Sequence, residues 1–533
     1  MKIIGITTGH DASYCVLEDG IPIVHEEFER FSRIKEGDTD VIQFVKERYG
    51  EYDSVKYVTH WPCNREGWEK IFTDEKLSSY KEMKEQMKER GGQYIQYGHH
   101  QSHAANAFFS SNYDTALIIT LDAGGWDHTQ YDENAIGIGD IIPTSVTIWR
   151  GKGNKIYPIK IIPMSELSIG LTWHDILPSV FGLSNSAPIG NQAGTIMAMS
   201  ALGKTDKFYN MIGFSSSSPT NYAALKYAAD ENEKNLFEIA RALQKKTEQK
   251  IHDLIEYYLD DEDENLCVVG GVALNCVTMG KILDWFPEIK GVYVPPVPYD
   301  AGLAIGSAQY MYHHVFDKPR IPWDDNCTPY LGVTYTEQEV LMTLEEYKEK
   351  IKYVVTTDDD VLELLDGQNI ISVFGNGSES GRRALGNRSI VADPRSPNMK
   401  DLINEKVKHR QWFRPFAPSI LREDVSEWFV HDIDSPYMNF AIKFKEDMVD
   451  KAPAVVHFDN TGRLQTVTEK DNKWYYDFIK AWKVKSGVPI LLNTSFNDRE
   501  PIVETPEHAV KCFLKTNIDY LYFFNYGILV RKR

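Results

Sequence analysis

The stretch YGHHQSHAANAFFSSNYDTALIITLDAGG, Tyr97 to Gly125, joins a histidine cluster to an apolar run that ends in a carboxylate and two glycines. If His99 to His103 is helical, these two imidazoles lie one turn apart on one face. That spacing suits two nitrogens on one metal ion. Thr115 to Leu121 is apolar and rich in Ile and Thr, the composition of a buried strand. It runs into Asp122-Ala123-Gly124-Gly125. A carboxylate at a strand end can ligate a metal, and glycines there let phosphate approach the backbone. A histidine pair alone is as readily structural. Joined to the strand-end Asp-x-Gly-Gly, it predicts a site.

The same order of elements occurs at the start of the sequence. Lys2 to Thr7 reads as a strand, Gly9-His10-Asp11-Ala12-Ser13 as a turn and Tyr14 to Leu17 as a strand. Asp19-Gly20 is a hairpin signal before a third strand, Ile21 to His25. Around the central stretch the order is Ala116 to Gly125, Ser145 to Trp149, the turn Arg150-Gly151-Lys152-Gly153, then Lys155 to Ile162. The repetition predicts two related halves, each opening with a β-meander whose first turn faces a shared cleft.

Helices are expected over Asp40 to Tyr49, Glu66 to Glu89, Glu166 to Leu177 and Glu231 to Leu259. Ser165 is the expected N-cap of the third. Before them, Glu26-Glu27-Phe28-Glu29-Arg30-Phe31-Ser32-Arg33-Ile34-Lys35 is either a solvated helix face or an anion-facing segment. Leu266 to Val269 reads as a strand running into Gly270-Gly271-Val272-Ala273-Leu274-Asn275, a place where a nucleotide can lie close to backbone N–H groups. Asp300 follows Pro295-Pro296-Val297-Pro298-Tyr299. There it either caps the next helix or joins a metal site.

Lys318 to Gly332 is rich in Pro, Asp and Asn and reads as a linker. It divides the chain into domains of residues 1–330 and 331–533. Beyond it, Gly375-Asn376-Gly377-Ser378-Glu379-Ser380-Gly381-Arg382-Arg383-Ala384-Leu385-Gly386-Asn387-Arg388-Ser389 follows a predicted strand. With Lys408, Arg410 and Arg414 these arginines form a local basic patch suited to a phosphate held by bidentate guanidinium contacts. Asn493-Thr494-Ser495-Phe496-Asn497 either orients a ligand or makes an Asx or Ser/Thr turn.

The net charge of −19 excludes broad electrostatic binding to nucleic acid. The 533 residues carry 42% hydrophobic and 25% charged side chains, ordinary for a globular protein of two or more domains. Six scattered cysteines form no CxxC pair, which fits a reducing compartment. With no charged-then-apolar leader in the given sequence and no run of about 18 apolar residues, a cytoplasmic protein that does not span the membrane is expected.

Taken together, the motifs resemble the O-carbamoyltransferases of the nodulation-protein and cephalosporin carbamoyltransferase family. The residues that carry the resemblance are Gly9-His10-Asp11-Ala12-Ser13, Glu29-Arg30-Phe31-Ser32-Arg33 with Lys35, His99-His100 with His103, Leu121-Asp122 with Gly124-Gly125, and Gly270 to Asn275. Arg383-Ala384-Leu385-Gly386-Asn387-Arg388-Ser389, Phe413-Arg414-Pro415-Phe416-Ala417-Pro418 and Asn493 to Asn497 complete it. The resemblance implies an α/β protein with two parts. The first is an actin-like ATPase fold, similar to the tRNA threonylcarbamoyl transferase, with duplicated β-meander/helix halves. The second is a YrdC-like α/β domain.

It further implies that carbamoyl phosphate is broken down to carbamate, that ATP converts this to carbamoyl adenylate, and that an acceptor hydroxyl then takes the carbamoyl group. By the same resemblance His10 is the acceptor's general base and Lys35 faces the transferred group. His99, His103, Asp122 and Asp300 hold a divalent metal, iron(II) by resemblance, although two nitrogens and two carboxylates alone also suit zinc or manganese. Gly124, Gly125, Gly271 and Asn275 line the nucleotide site. Arg383, Arg388, Lys408, Arg414 and Ser495 hold carbamoyl phosphate.

The sequence departs from the family pattern at Gly194-Thr195, where Gly-Lys is usual, and at Gly381-Arg382, where Gly-Pro is usual. The segment Phe496-Asn497-Asp498-Arg499-Glu500-Pro501 is also shorter than the family's. The acceptor is expected to be a small molecule (a sugar, natural product or nucleotide), met by residues from about Trp61 to Tyr97 and by loops near Trp126 and Trp173. A homo-oligomer is compatible with these expectations. The competing readings are a tRNA threonylcarbamoyl-type enzyme and a non-catalytic actin-like ATP-binding protein.

Overall fold

The computed structural model describes residues 1–50, 56–59, 95–96, 98–131, 137–261, 263–321 and 328–533. The helix expected over Glu66 to Glu89 falls outside these residues, as does the acceptor segment from Trp61 apart from Ile95–Gln96.

Two five-stranded sheets share one strand order. The first comprises β1 (Lys2–Thr7), β2 (Ser13–Glu18), β3 (Ile21–Glu27), β4 (Lys56–Thr59) and β5 (Ile95–Gln96), in the order β3-β2-β1-β4-β5. Its first three strands are antiparallel, and β4 and β5 join parallel to β1. The second sheet opens with β6 (Thr115–Tyr131), β7 (Gly137–Lys152) and β8 (Lys155–Pro163), again antiparallel. Strands Asn265–Val269 and Gly291–Tyr293 then join β6 in parallel, which repeats the order of the first sheet. The duplication expected from the two meanders is therefore present as a repeated mixed sheet.

Between the sheets lie two buried helices, His99–Ser110 and Leu303–Gln309. Their approach is set by glycine. A Cβ on Gly306 would lie 1.9 Å from the Ser102 carbonyl oxygen, and one on Gly5 of β1 would lie 1.8 Å from that of Ala304. Phe108, Ile118, Trp149, Val269 and Ala308 close one apolar cluster around this contact.

Residues 351–532 build a nine-stranded mixed sheet. Its order is Ile351–Val355, Ile528–Lys532, Tyr520–Phe523, Ile371–Phe374, Arg388–Ala392, Ile490–Ser495, Ala417–Leu421, Thr461–Val467, Phe440–Lys443. The helix Cys276–Trp285 lies against the last strand so closely that a Cβ on Gly280 would meet the Ala441 carbonyl oxygen at 2.1 Å. The described end of the expected linker is packed. Gly332 N–H donates to Ser378 O, and the Tyr330 hydroxyl donates to Leu385 O.

Several sequence expectations need correction. The strand expected to end at Leu121 continues to Tyr131, with a break in register between Leu121 and Gly125. The helix expected over Glu231 to Leu259 is one helix but starts later, as Asn235–Tyr258; Glu231 instead ends a preceding helix, Tyr222–Glu231, which extended Asn232 (φ −156°, ψ 111°) terminates. The helix expected from Glu166 starts at Ile169, because the turn before it serves other contacts; Ser168 Oγ donates to Ala123 O and caps nothing. Among the described residues, no helix is long and apolar enough to cross a membrane.

His313 is buried between Phe109 and Tyr312, and burial pushes its imidazole down from 6.5 to about 4. The sign follows directly. Above pH 6.5 the ring is neutral in both states, and between pH 6.5 and 4 the unfolded chain takes up a proton that the folded chain refuses. Stability should fall across that window by up to about 3 kcal/mol from this group. Urea midpoints at pH 7 and pH 5 should therefore differ less in His313→Phe than in the unsubstituted protein.

Candidate active site

The register break in β6 is a bulge. Leu121 pairs with Val146 and Gly125 with Thr144, so Asp122, Ala123 and Gly124 stand opposite Ser145 alone. A bulge bends the strand and re-aims side chains. Here it turns the Asp122 carboxylate toward the first turn of the helix His99–Ser110, with Oδ2 at 2.9 Å from His99 Nε2 and 3.5 Å from His103 Nε2.

Asp300 comes from the other side of the glycine contact. It opens a short 3-10 turn but caps nothing; its Oδ1 lies 3.4 Å from His103 Nε2 and 3.7 Å from His99 Nε2. One donor atom from each of His99, His103, Asp122 and Asp300 falls within 4.8 Å of all the others. His100, the remaining histidine of the cluster, points elsewhere and pairs with Asp127 of β6 at 2.5 Å.

The fit of this quartet to a divalent metal rests on its buried donors. Both ring nitrogens of His103 are buried without a hydrogen-bond partner. Burial opposes a charge on that ring, yet the carboxylates of Asp122 and Asp300 hold it up at about 9. Burial likewise opposes the Asp122 carboxylate, but His103 and His99 keep it well below the usual range. Two carboxylates gathered around two imidazoles thus call for positive charge, and two nitrogen and two oxygen donors suit a first-row divalent ion. Gly125 is small because a Cβ there would lie 2.4 Å from the His99 ring.

Asp122 and Asp300 of the quartet line one end of a cavity of about 1340 Å³. His10 and Lys35 line it too, as do Gly124, Gly125, Gly271 and Asn275. His10 sits in the β1–β2 turn, where Gly9 (φ 87°) and Asp11 (φ 60°) are left-handed. Its Nδ1 is 3.2 Å from Asp11 Oδ2 and its Nε2 is 3.6 Å from Asp300 Oδ2. The ring is 70% exposed, and the hydrogen bond to Asp11 and then the field of Asp300 raise it to about 10. Gly271 N–H donates to Asp122 Oδ1 at 3.2 Å. Asn275 has a structural task as well, since its Oδ1 accepts from Thr278 N and its Nδ2 donates to Gln244.

The far end of the same cavity is cationic. Arg383, Lys408, Arg410, Arg414 and Arg463 all line it. Burial lowers Arg383 to about 9 and Arg414 to about 10, and Arg463 adds repulsion in both cases. Arg410 is pushed well down by burial, then by Arg414 and Arg463. Lys408 is depressed by burial, but its ammonium is already satisfied by Ser495 O, Ser495 Oγ, Asn497 O and Asn497 Oδ1. Lys408 therefore braces the Ser495–Asn497 corner, and Arg410 is likewise tied to Asn404 Oδ1 and Pro415 O, while Arg383, Arg414 and Arg463 line the space.

Arg388 is the exception among the expected anion-binding residues. It is fully buried, stacks 3.7 Å over Phe374 and donates to the carbonyls of Gly375, Asn387, Asn376 and Val333. Its Nη donors are taken by backbone, and it does not line the cavity. Arg463 and Arg382 were not singled out as site residues from sequence. An arginine inside the mostly buried strand Thr461–Val467 is the signal that points to the first. The second stands at a departure from the family pattern.

With this geometry in place, the comparisons with known proteins assign the family. The model described as Carbamoyltransferase N-terminus matches residues 53–309, and Carbamoyltransferase C-terminus matches residues 362–531. Nodulation protein NolNO of Sinorhizobium fredii is 31% identical over 98% of this chain and 79% of its own length. Nodulation protein NolO of Bradyrhizobium diazoefficiens is 33% identical over 82% of this chain and 79% of its own. Uncharacterized protein sll1178 of Synechocystis is 33% identical over 80% and 75%. The chain belongs to the carbamoyltransferase family and is a carbamoyltransferase enzyme. Likeness to solved structures is distant, for example TM-score 0.34 and 12% identity to an activator of 2-hydroxyisocaproyl-CoA dehydratase from Clostridium difficile, over 60% of this chain and 96% of that one.

Two outcomes follow from the opposed ends of the cavity. Purified protein equilibrated with a divalent metal should retain about one ion per chain, and His103→Ala or Asp122→Asn should retain none by elemental analysis. Inorganic pyrophosphate should raise the melting temperature. Arg463→Met should reduce that rise without lowering the melting temperature of the anion-free protein, because it relieves repulsion on Arg383 and Arg414.

Proposed function

We propose that this enzyme is an ATP-dependent O-carbamoyltransferase that takes its carbamoyl group from carbamoyl phosphate and passes it, through carbamoyl adenylate, to a hydroxyl of a small molecule. The observation that supports this most is a single cavity lined by His10 and by Asp122 and Asp300 of the metal-type quartet at one end and by Arg383, Arg414 and Arg463 at the other. The N-terminal part, residues 1–330, is proposed as the transfer domain. The C-terminal part, residues 331–533, is proposed as a YrdC-like domain for adenylation.

At the cationic end Arg383, Arg414 and Arg463 offer planar donors to phosphate oxygens. Water converts carbamoyl phosphate to carbamate and phosphate there. A carbamate oxygen then attacks the α-phosphorus of ATP, the bond to pyrophosphate breaks, and carbamoyl adenylate forms. Carbamate is a poor electrophile because its charge is delocalised, and the adenylate supplies the leaving group it lacks. The same guanidinium groups would stabilise the departing pyrophosphate.

At the other end the acceptor hydroxyl attacks the carbamoyl carbon, its proton passes to His10 Nε2, and AMP leaves. Lys35, whose ammonium burial has lowered, is placed to face the transferred group or its phosphate. The quartet would hold a divalent metal, iron(II) on the family pattern, and such an ion supplies positive charge to phosphate oxygens as AMP departs. Acting as a base requires a neutral His10, so the negative charge of Asp300 and Asp122 must be balanced when acceptor is bound. Trp126 and Trp173 stand on the cavity wall, where the acceptor would lie.

Protein incubated with ATP, carbamoyl phosphate and a divalent metal, without acceptor, should release pyrophosphate and form carbamoyl adenylate detectable by mass spectrometry. Arg414→Met should cut the rate about 100-fold and His10→Asn by no more than about threefold. Bound ATP with no carbamoyl-phosphate-dependent adenylate would overturn the adenylation chemistry.

A further inference from the structure

Arg382 follows Gly381, whose φ of 92° turns the loop that leads toward Arg388–Ala392. It reaches away from the cationic end, although Arg383 beside it lines that end. Arg382 Nη2 is 2.6 Å from Asp11 Oδ1, its Nη1 is 3.1 Å from Glu36 Oε1, and its guanidinium stacks 4.3 Å over the Tyr299 ring. Each of these three partners is the chain neighbour of a proposed functional residue. Asp11 adjoins His10, Glu36 adjoins Lys35 and Tyr299 adjoins Asp300.

The links continue to the working atoms. The Asp11 carboxylate uses one oxygen on Arg382 and the other on His10 Nδ1 at 3.2 Å. Glu36 Oε1 also accepts from Asn191 N at 2.9 Å, which ties it to another stretch of cavity wall. The Tyr299 hydroxyl donates to Glu27 Oε2, and Glu27 Oε1 accepts from Gly381 N, so the loop carrying Arg382 is itself anchored. Arg30 secures the same loop by donating to Glu379 O and Gly381 O. The guanidinium is thus held from behind while its face and both amino groups hold three separate segments.

We propose that Arg382 is a positioning residue that sets Asp11, Glu36 and Tyr299, and through them the placement of His10, Lys35 and Asp300 around the metal quartet. The proposal rests on the metal reading of that quartet. It also assigns to one loop, residues 379–383, the coupling of the two ends of the cavity, since Arg383 faces the anion side and Arg382 the transfer side. A planar guanidinium can hold two carboxylates and a ring at once; a lysine ammonium can keep an ion pair but not the stacked and forked geometry. Proline at this position could make none of these contacts.

The test is cobalt(II) binding, followed by visible absorption, whose d–d bands report the arrangement of the ligands. Unsubstituted protein, Arg382→Met, Arg382→Lys and Arg383→Met are titrated, with circular dichroism and melting curves recorded for each. Unsubstituted protein and Arg383→Met should share one spectrum. Arg382→Met should bind about tenfold or more weakly with shifted bands, and Arg382→Lys should recover part of both. A folded Arg382→Met with unsubstituted spectrum and affinity overturns the proposal. If Arg382→Met does not fold, Arg382→Lys decides: altered bands support the proposal and unaltered ones overturn it. Absence of d–d bands from the unsubstituted protein instead overturns the metal reading beneath it, so the two failures are distinguishable.

Discussion

The quartet depends on how closely two helices and a strand can approach. His99 and His103 lie on one helix, Asp300 opens the other, and His10 follows the strand beneath it. Gly306 places its helix against the Ser102 carbonyl, and Gly5 places β1 against the Ala304 carbonyl. A methyl group at either position would overlap backbone, and backbone cannot rotate aside as a side chain can. Separation of these elements by even an ångström would carry Asp300 away from both imidazoles. Close packing is therefore the means by which residues almost 200 positions apart share one small volume.

The second constraint is electrostatic. A chain with net charge −19 nonetheless gathers Arg383, Arg410, Arg414 and Arg463 around one space, where Arg463 depresses the other three and Arg414 depresses Arg410. Buried cations are ordinarily paired with acids, as Arg30 is with Glu504 and Arg382 with Asp11. Burial and mutual repulsion make the empty arrangement costly. An anion that reaches several guanidinium groups at once removes that cost on binding. At the opposite end the imbalance has the other sign, with Asp122 and Asp300 gathered around the histidines. On the proposed reading, one cavity thus offers guanidinium groups to a polyanion at one end and carboxylates to a cation at the other.

Much of this was legible in sequence where local pattern and geometry coincide. The i, i+4 histidines do share a helix face, and the two meanders do become sheets of identical order. The Asp122 assignment was legible for a different reason than the strand end first suggests. The strand continues, and a bulge aims the carboxylate. What local pattern could not show is which cations face the cavity. Arg388 sits among glycines and reads as a phosphate ligand, yet four backbone carbonyls claim it, one from Val333, far away in sequence. Arg463 lies in an unremarkable strand and becomes part of the cluster only through tertiary folding. Lys408 is in place, but its donors are spent on the Ser495–Asn497 corner, which no spacing rule predicts.

The placement of opposite charge demands at two ends of one enclosed space bears on why they share it. Carbamoyl adenylate is an activated mixed anhydride, and water competes with any acceptor for its carbonyl carbon. On the proposed reaction, a cavity common to both ends would shorten the path of such an intermediate to the acceptor, which favours the intended nucleophile by proximity. The walls that make this crossing come from distant parts of the chain: the bulge in β6, the Asn185 to Asn191 hairpin, and the loop of Arg382 and Arg383. Thr195, at another departure from the family pattern, lies 3.3 Å from Arg414 and so touches the cationic end from the opposite segment. The departures at Thr195 and Arg382 therefore fall where residues 1–330 meet residues 331–533.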